Sequence, residues 1–187
     1  MNGKLRGADL LFKRVENGIE TALFNDIWTT VWKEKGYELE YSEQPLAQYV
    51  IVTTDGNYIG TAEINRFCPN KSPLLQTTKL PMHILAAAEE GLVAEIDKIA
   101  LLKPYRGRYL SDLLSSIIYF ADRHHYRYFV SLLEPVFFRA LRVSFHIPME
   151  KLGGEYYYKG DYVVPVLFET NQMYVNMPMF HWLKYPS

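Results

Sequence analysis

An α/β domain with helices interleaved among its strands follows from three features of the sequence. Glu95 to Leu101 alternates as a strand, Pro104 denies it a further ladder donor, and Leu110, Leu113, Leu114, Ile117, Ile118 and Ala121 then recur at the spacing that lays one apolar stripe along a helix. Tyr49 to Thr53 and Tyr58 to Ile64 are β-prone runs on either side of Asp55-Gly56, a favoured hairpin turn. From Glu16 the pattern is helical and ends at Gly36.

Taken in order, Leu10 to Val15 reads as the first strand. Asn17 is placed to cap the helix that follows, with Glu20 as the second half of a capping box, and Ile19, Leu23, Ile27 and Val31, joined by Trp28 and Trp32, form its apolar face. After the hairpin, periodicity fades from Asn65 to Gly91: Pro69, Pro73 and Pro81 punctuate it, and Met82 to Glu90 reads as one short helix. An excursion this long is expected to be functional or to cover something. On the central strand Ile96, Lys98 and Ala100 are expected on one face, and Glu95, Asp97, Ile99 and Leu101 on the other. Tyr126 to Leu133 is the next strand. Glu134-Pro135 then opens a helix that runs to about Phe145, and Pro148 closes the turn after it. Tyr156 to Tyr158 and Tyr162 to Phe168 read as two strands joined near Gly160. Thr170 to Ser187 reads as an irregular, aromatic-rich tail docked on the surface. The 187 residues suit one domain, 1–187, with its core at about 10–168.

A formal net charge of -1 supplies no global basic field for nucleic acid or an anionic membrane, so neither is expected as a partner. No apolar run approaches the roughly 18 residues that span a bilayer, and Met1 to Leu11 lacks the apolar core of a signal peptide. A cytoplasmic protein is expected, in keeping with the single Cys68, which sits beside Pro69 and Asn70 in a loop-like run and reads as incidental rather than nucleophilic. The 15 Tyr, 10 Phe and 3 Trp suit core packing and equally the lining of an acyl-chain cleft. His124 and His125 are neighbours that do not share a helix face, and no third ligand stands at useful spacing, so no metal is expected. Neither Gly-x-Ser-x-Gly nor a phosphate-loop Gly-Lys-Ser/Thr occurs, which leaves hydrolase and nucleotide-hydrolysing chemistry without a motif.

Between the central strand and its helix lies Arg106-Gly107-Arg108. Glycine lets a ligand approach the backbone, the first N–H groups of a helix carry positive partial charge, and arginine binds phosphate oxygens in a fork. The turn reads either as a pyrophosphate site or as a plain connection with two solvated arginines.

Pro104-Tyr105-Arg106-Gly107-Arg108 before a helix resembles the acyl-CoA pyrophosphate loop of the Gcn5-related N-acyltransferases, with Tyr109 and Ser111 where that family usually has glycine or alanine. The element order matches that fold over roughly 10–168. Within the superfamily the chain looks most like the acyl-homoserine-lactone synthase and N-acyl amino acid synthase branch. Glu95-Ile-Asp-Lys98 stands in the place of the branch's Glu-x-x-Arg signature, and Glu63 stands where its synthases lead one to look for arginine.

The resemblance implies a mixed, mostly antiparallel central sheet flanked by helices. It implies direct transfer of an acetyl or longer acyl group from acyl-CoA to a small amine or amino acid. Glu95 would accept the amine proton; the alternative role for Glu95 is a salt bridge to Lys98 or a neighbouring strand. Backbone N–H groups at Ile99, Ala100 and Leu101 would polarise the thioester carbonyl, and Arg106, Gly107, Arg108, Tyr109, Leu110 and Ser111 would hold the pyrophosphate. Many members carry a tyrosine acid on the helix after the fifth strand, but 134–145 has none, with Phe138 and Leu141 in that region. Two other readings stand beside this one. One is a non-catalytic acyl-thioester sensor. The other is a signal synthase fed by acyl carrier protein docked on Lys103, Arg106, Arg108, Arg123 and Arg127.

Overall fold

The computed structural model describes residues 12–76 and 78–186, so Leu10 and Leu11 of the expected first strand lie outside the described residues. Strand β1 (Phe12–Arg14) leads into helix α1 (Gly18–Lys35) through the expected cap. Asn17 Oδ1 accepts the Glu20 N–H at 3.0 Å, and the Glu20 carboxylate accepts the Glu16 N–H at 2.8 Å. Gly36 ends the helix at φ 76°, a left-handed conformation that glycine adopts without strain. The buried face differs from the expected stripe. Phe24, Ile27, Trp28 and Val31 point inward, while Ile19 is 76% exposed. Glu20, buried by its ion pair with Lys13 of β1, turns the helix so that Phe24 meets the sheet in place of Leu23.

Strands β2 (Ala47–Val52) and β3 (Tyr58–Arg66) form the hairpin, with Gly56 at φ 83° in its turn. The excursion that follows holds a 3-10 turn (Pro73–Gln76) and helix α2 (Met82–Glu89) before strand β4 (Val93–Leu101). Helix α3 (Leu110–His124), strand β5 (Tyr128–Leu133) and helix α4 (Pro135–Ser144) come next. Strand β6 (Met149–Lys151) was not expected, being too short to show a period. Strands β7 (Tyr156–Tyr158) and β8 (Asp161–Phe168) meet at Gly160, as expected.

The segment after β8 is docked but not irregular. It contains helix α5 (Thr170–Val175), whose Met173 is fully buried. Trp182 Nε1 donates to the Phe145 carbonyl at 2.9 Å, and the Tyr185 ring meets Tyr119 edge-on at 5.5 Å. One and a half turns of helix are too few for a sequence period to register.

The sheet runs β1-β2-β3-β4-β5-β8-β6, with β7 pairing β8. Among the described residues β4 and β5 pair in parallel and the other strand pairs are antiparallel. Strand alternation sorts the core into two layers. Tyr49, Ile51, Phe129, Val166 and Phe168 pack with residues of α3, α4 and α5. Val50 packs with α1, and Val130 and Leu167 with α2, on the opposite face. No described helix is long and apolar enough to cross a membrane.

Candidate active site

Strand β4 departs from regular pairing twice, and the site lies where it does. Against β3, Thr61 opposes Ala100 while Glu63 opposes Asp97, which leaves β4 one residue in excess. That is a bulge, and Lys98 sits in it at φ 48°. It corrects the expected faces of the strand. Ile96, Ile99 and Leu101 turn toward α3, whereas Ala100 packs against Phe24 and Trp28 of α1, and the Lys98 ammonium stands 5.2 Å from the Trp28 ring. Ile96 and Lys98 therefore lie on opposite faces, because one inserted residue reverses a period of two.

On its other side β4 pairs β5 only from Val93 to Glu95. Beyond the fork, marked by a 2.9 Å hydrogen bond from Ser131 Oγ to the Ile96 carbonyl, the two strands part. The gap is a cavity of about 390 Å³, lined by Glu95, Asp97, Lys98 and Ile99 of β4, Ser131 and Leu133 of β5, Phe137 of α4 and Tyr158 of β7. Its size falls within the range of small-molecule sites.

Glu95 lines this cavity, and Ser72 Oγ donates to its Oε2 at 3.1 Å. Burial pushes the Glu95 carboxyl up to about 7; the Ser72 hydrogen bond and the Lys98 charge restrain that rise, and the Asp97 charge adds to it. The alternative of a Glu95–Lys98 salt bridge is overturned, since Lys98 is committed elsewhere. Its ammonium lies 2.6 Å from Glu63 Oε1, 2.8 Å from Ser42 Oγ and 3.3 Å from Asp97 Oδ2. Glu63 is fully buried and also accepts from Gln48 Nε2 at 2.7 Å, Asn65 Nδ2 at 3.0 Å and the Ser42 hydroxyl. Burial works against its ionisation, but Lys98 and these donors outweigh that and hold its carboxyl below the usual range.

From α4 it is Phe137 that faces the cavity, while Phe138 and Leu141 are buried in the core, which corrects the region expected for the missing tyrosine. The phenols that line the cavity come from elsewhere. Tyr37 donates to Glu134 at 2.5 Å and lies 3.3 Å from Asp161. Tyr158 stands across the cavity, its hydroxyl pushed up to about 12 by burial and by the charges of Asp97, Tyr156 and Glu95. Sequence reasoning missed Tyr158, and so did it miss Ser72 and the Lys98–Glu63 pair. The unbroken run Tyr156 to Tyr158 carries no sign of which of its rings will face the cavity.

Of the residues expected to polarise the carbonyl, only Ile99 lines the cavity. Ala100 and Leu101 are paired with Thr61 and Gly60 of β3. In the turn after β4, the N–H groups of Leu110, Ser111 and Asp112 have no backbone acceptor among the described residues, leaving a positive helix end. A Cβ placed on Gly107 would meet nothing within 4 Å, so that side of the turn is open. Tyr109 does not obstruct it, because its ring is buried against Tyr105 at 5.8 Å.

The two arginines of the turn differ. Arg106 braces the turn, donating to the Leu101 carbonyl and to Glu34, each at 3.0 Å. Arg108 lies over the Tyr109 ring at 5.4 Å and has no ion pair among the described residues. Lys103, Arg106 and Arg108 precede α3, and Arg123 and Arg127 lie near its far end, about 20 Å away at 1.5 Å per residue. His124 packs against Phe120 with ring centroids 4.3 Å apart, and among the described residues no three His, Cys, Asp or Glu side chains gather to hold a metal.

A mixed sheet with one parallel pair at its centre, splayed beyond a bulge and followed by a tight turn and helix, is the fold of the Gcn5-related N-acyltransferases, and this chain has it. The chain is similar to FeeM, an N-acyl amino acid synthase from uncultured soil microbes, at a TM-score of 0.67 and 14% identity over 86% of this chain and 91% of that one. It is similar also to the CoA-dependent acyl-homoserine lactone synthase MesI (TM-score 0.55, 13% identity, 81% of each chain). A mutant of the spermidine N-acetyltransferase SpeG from Vibrio cholerae gives a TM-score of 0.57 at 11% identity, over 89% of this chain and 98% of that one. No protein-family model and no curated protein sequence matches the chain.

Proposed function

We propose that the protein is an N-acyltransferase that passes an acyl group from a CoA thioester to a small amine or amino acid in one direct step. The observation that carries this reading is Glu95, a carboxylate pushed up to about 7 in the cavity where β4 and β5 part. A base titrating near neutral pH is matched to taking a proton from an amine. The amine nitrogen attacks the thioester carbonyl carbon and forms the C–N bond while its proton passes to Glu95. Collapse of the tetrahedral intermediate breaks the C–S bond, and the departing thiolate takes up a proton through water, which returns Glu95 to its basic form. Ile99 is the candidate donor to the carbonyl oxygen. The reading implies a cytoplasmic protein, where acyl-CoA is available.

The donor acyl group is short. Behind Ile96 and Ile99 the apolar core leaves a cavity of only about 10 Å³, between Leu114, Ile117, Leu141 and Trp182. That is about one water's worth of space. A long chain would have to displace packed side chains, so turnover is expected to fall about 5- to 150-fold between acetyl-CoA and octanoyl-CoA at equal concentration, since overpacking costs about 1–3 kcal/mol. Thiol release across an acyl-CoA series and a panel of amines tests both statements. A preference for octanoyl would overturn the short donor. Absence of turnover on every amine would overturn the enzyme.

The pyrophosphate is assigned to Arg108 and the free N–H groups at the start of α3, with Arg106 holding the turn. Replacing Arg106 and Arg108 together with alanine is expected to weaken acyl-CoA binding about 10-fold or more, at about 1.5–3 kcal/mol per charged hydrogen bond. Loss of the Arg106 bond to the Leu101 carbonyl should cost about 1 kcal/mol of stability, and the half-exposed Arg106–Glu34 pair little more. Calorimetric titration with CoA measures it, and unchanged affinity in the folded variant would remove the assignment. The lack of a tyrosine on α4, where Phe137 faces the cavity, favours one second reading, a sensor that binds the thioester without turnover; tight CoA binding with no thiol release identifies it.

A further inference from the structure

We infer that Ser72 is the positioning residue for Glu95, and that the excursion between β3 and α2 forms a wall of the site. The inference rests on the proposed acyl transfer for its functional meaning and on geometry for its structural part.

Ser72 is 7% exposed, and its hydroxyl has two neighbours. The Leu74 N–H donates to Oγ at 3.4 Å, and Oγ stands 3.1 Å from Glu95 Oε2. A hydroxyl has one proton, and among the described residues the side chain that accepts it is Glu95. Among the described residues no other side chain hydrogen-bonds to Glu95. Asp97 and Lys98 on its own strand act on it by charge, Lys71 and Tyr158 line the same cavity, and the Lys98 ammonium is bound to Glu63.

The serine is itself held in place. Its N–H donates to the Cys68 carbonyl at 2.9 Å, and its carbonyl accepts from Leu75 at 3.2 Å. Leu74 is fully buried in the cluster with Val93 and Val130, and Tyr156 of β7 donates to the Pro73 carbonyl at 3.3 Å. An anchored loop thus presents one proton to one carboxylate oxygen. With Oε2 occupied, Oε1 is left to receive the proton of the attacking amine.

A hydrogen bond to a carboxylate favours its charged form, so removing it raises the point of half-titration. In Ser72→Ala that point is expected to move up by about one pH unit, the acid limb of the kcat profile with it, and turnover below pH 7 is expected to fall about 10-fold. KM for acyl-CoA should stay the same, and Ser72→Thr should restore the wild-type profile. Carbon-13 NMR titration of the Glu side chains, with Glu95→Gln identifying the resonance, reads the same shift without turnover. An unmoved Glu95 titration in folded Ser72→Ala would overturn the inference whether or not the protein is an enzyme. A moved titration in a protein that turns over nothing would instead count against the proposed function.

Discussion

Glu95→Gln is expected to lower turnover by about 10²–10⁴-fold while leaving acyl-CoA affinity unchanged. Glutamine keeps the size and accepts the Ser72 hydrogen bond, but it has no basicity to offer the amine. The same substitution separates catalysis from structure through its effect on stability. Glu95 is raised to about 7 in the folded protein from an ordinary 4.5. A raised carboxyl takes up protons more readily folded than unfolded, so the stability it contributes is full below pH 4.5 and is lost as pH climbs through 7. Glutamine escapes that loss. The variant should therefore melt higher than wild type at pH 8 and about level with it at pH 4.5. A stable variant with wild-type activity and pH profile would end the general-base assignment.

Lys98→Met is expected to destabilise the fold by about 3–5 kcal/mol, the usual cost of stranding one member of a buried ion pair. The side chains of Lys98 and Glu63 are 2% and 1% exposed, so Glu63 would be left charged in the core or forced to protonate. For a chain of this size the melting temperature should drop by roughly 6–20 °C. Pairing Lys98→Met with Glu63→Leu should recover much of the loss, because the stranded charge is then gone. The pair also sets an acid limit. Glu63 is held below its ordinary 4.5, so its contribution is present above that pH and disappears as pH falls through the folded value. Melting curves of both variants at neutral pH decide the matter: a single variant as stable as wild type would show that the bulge does not depend on the pair.

The two halves of the site differ in how far they could be read ahead. The turn was legible. Its glycine, its arginines and the helix after them are adjacent in the chain, and the structure keeps them adjacent at the start of α3. Glu95 was legible as a residue on the central strand, but its partner was not. Ser72 lies 23 positions away in a stretch without period, and the lysine three residues along, which the sequence offered as a partner, turned instead to Glu63.

The chain pattern settled what depends on neighbours within about four residues: the Asn17 cap, the Gly36 stop, the Asp55-Gly56 turn, and the identity and order of most strands and helices. Those signals are local because a capping hydrogen bond or a helical stripe joins residues three or four apart. What folding alone decided was the bulge at Lys98, the parting of β4 from β5, the arrival of Ser72 at Glu95, and the placing of Tyr158 on the same cavity. Each of these is a pairing between segments far apart in the chain. A register slip of one residue, or a hydroxyl meeting a carboxylate from a distant loop, leaves no periodic mark on either segment. It exists only once both are packed against the same core.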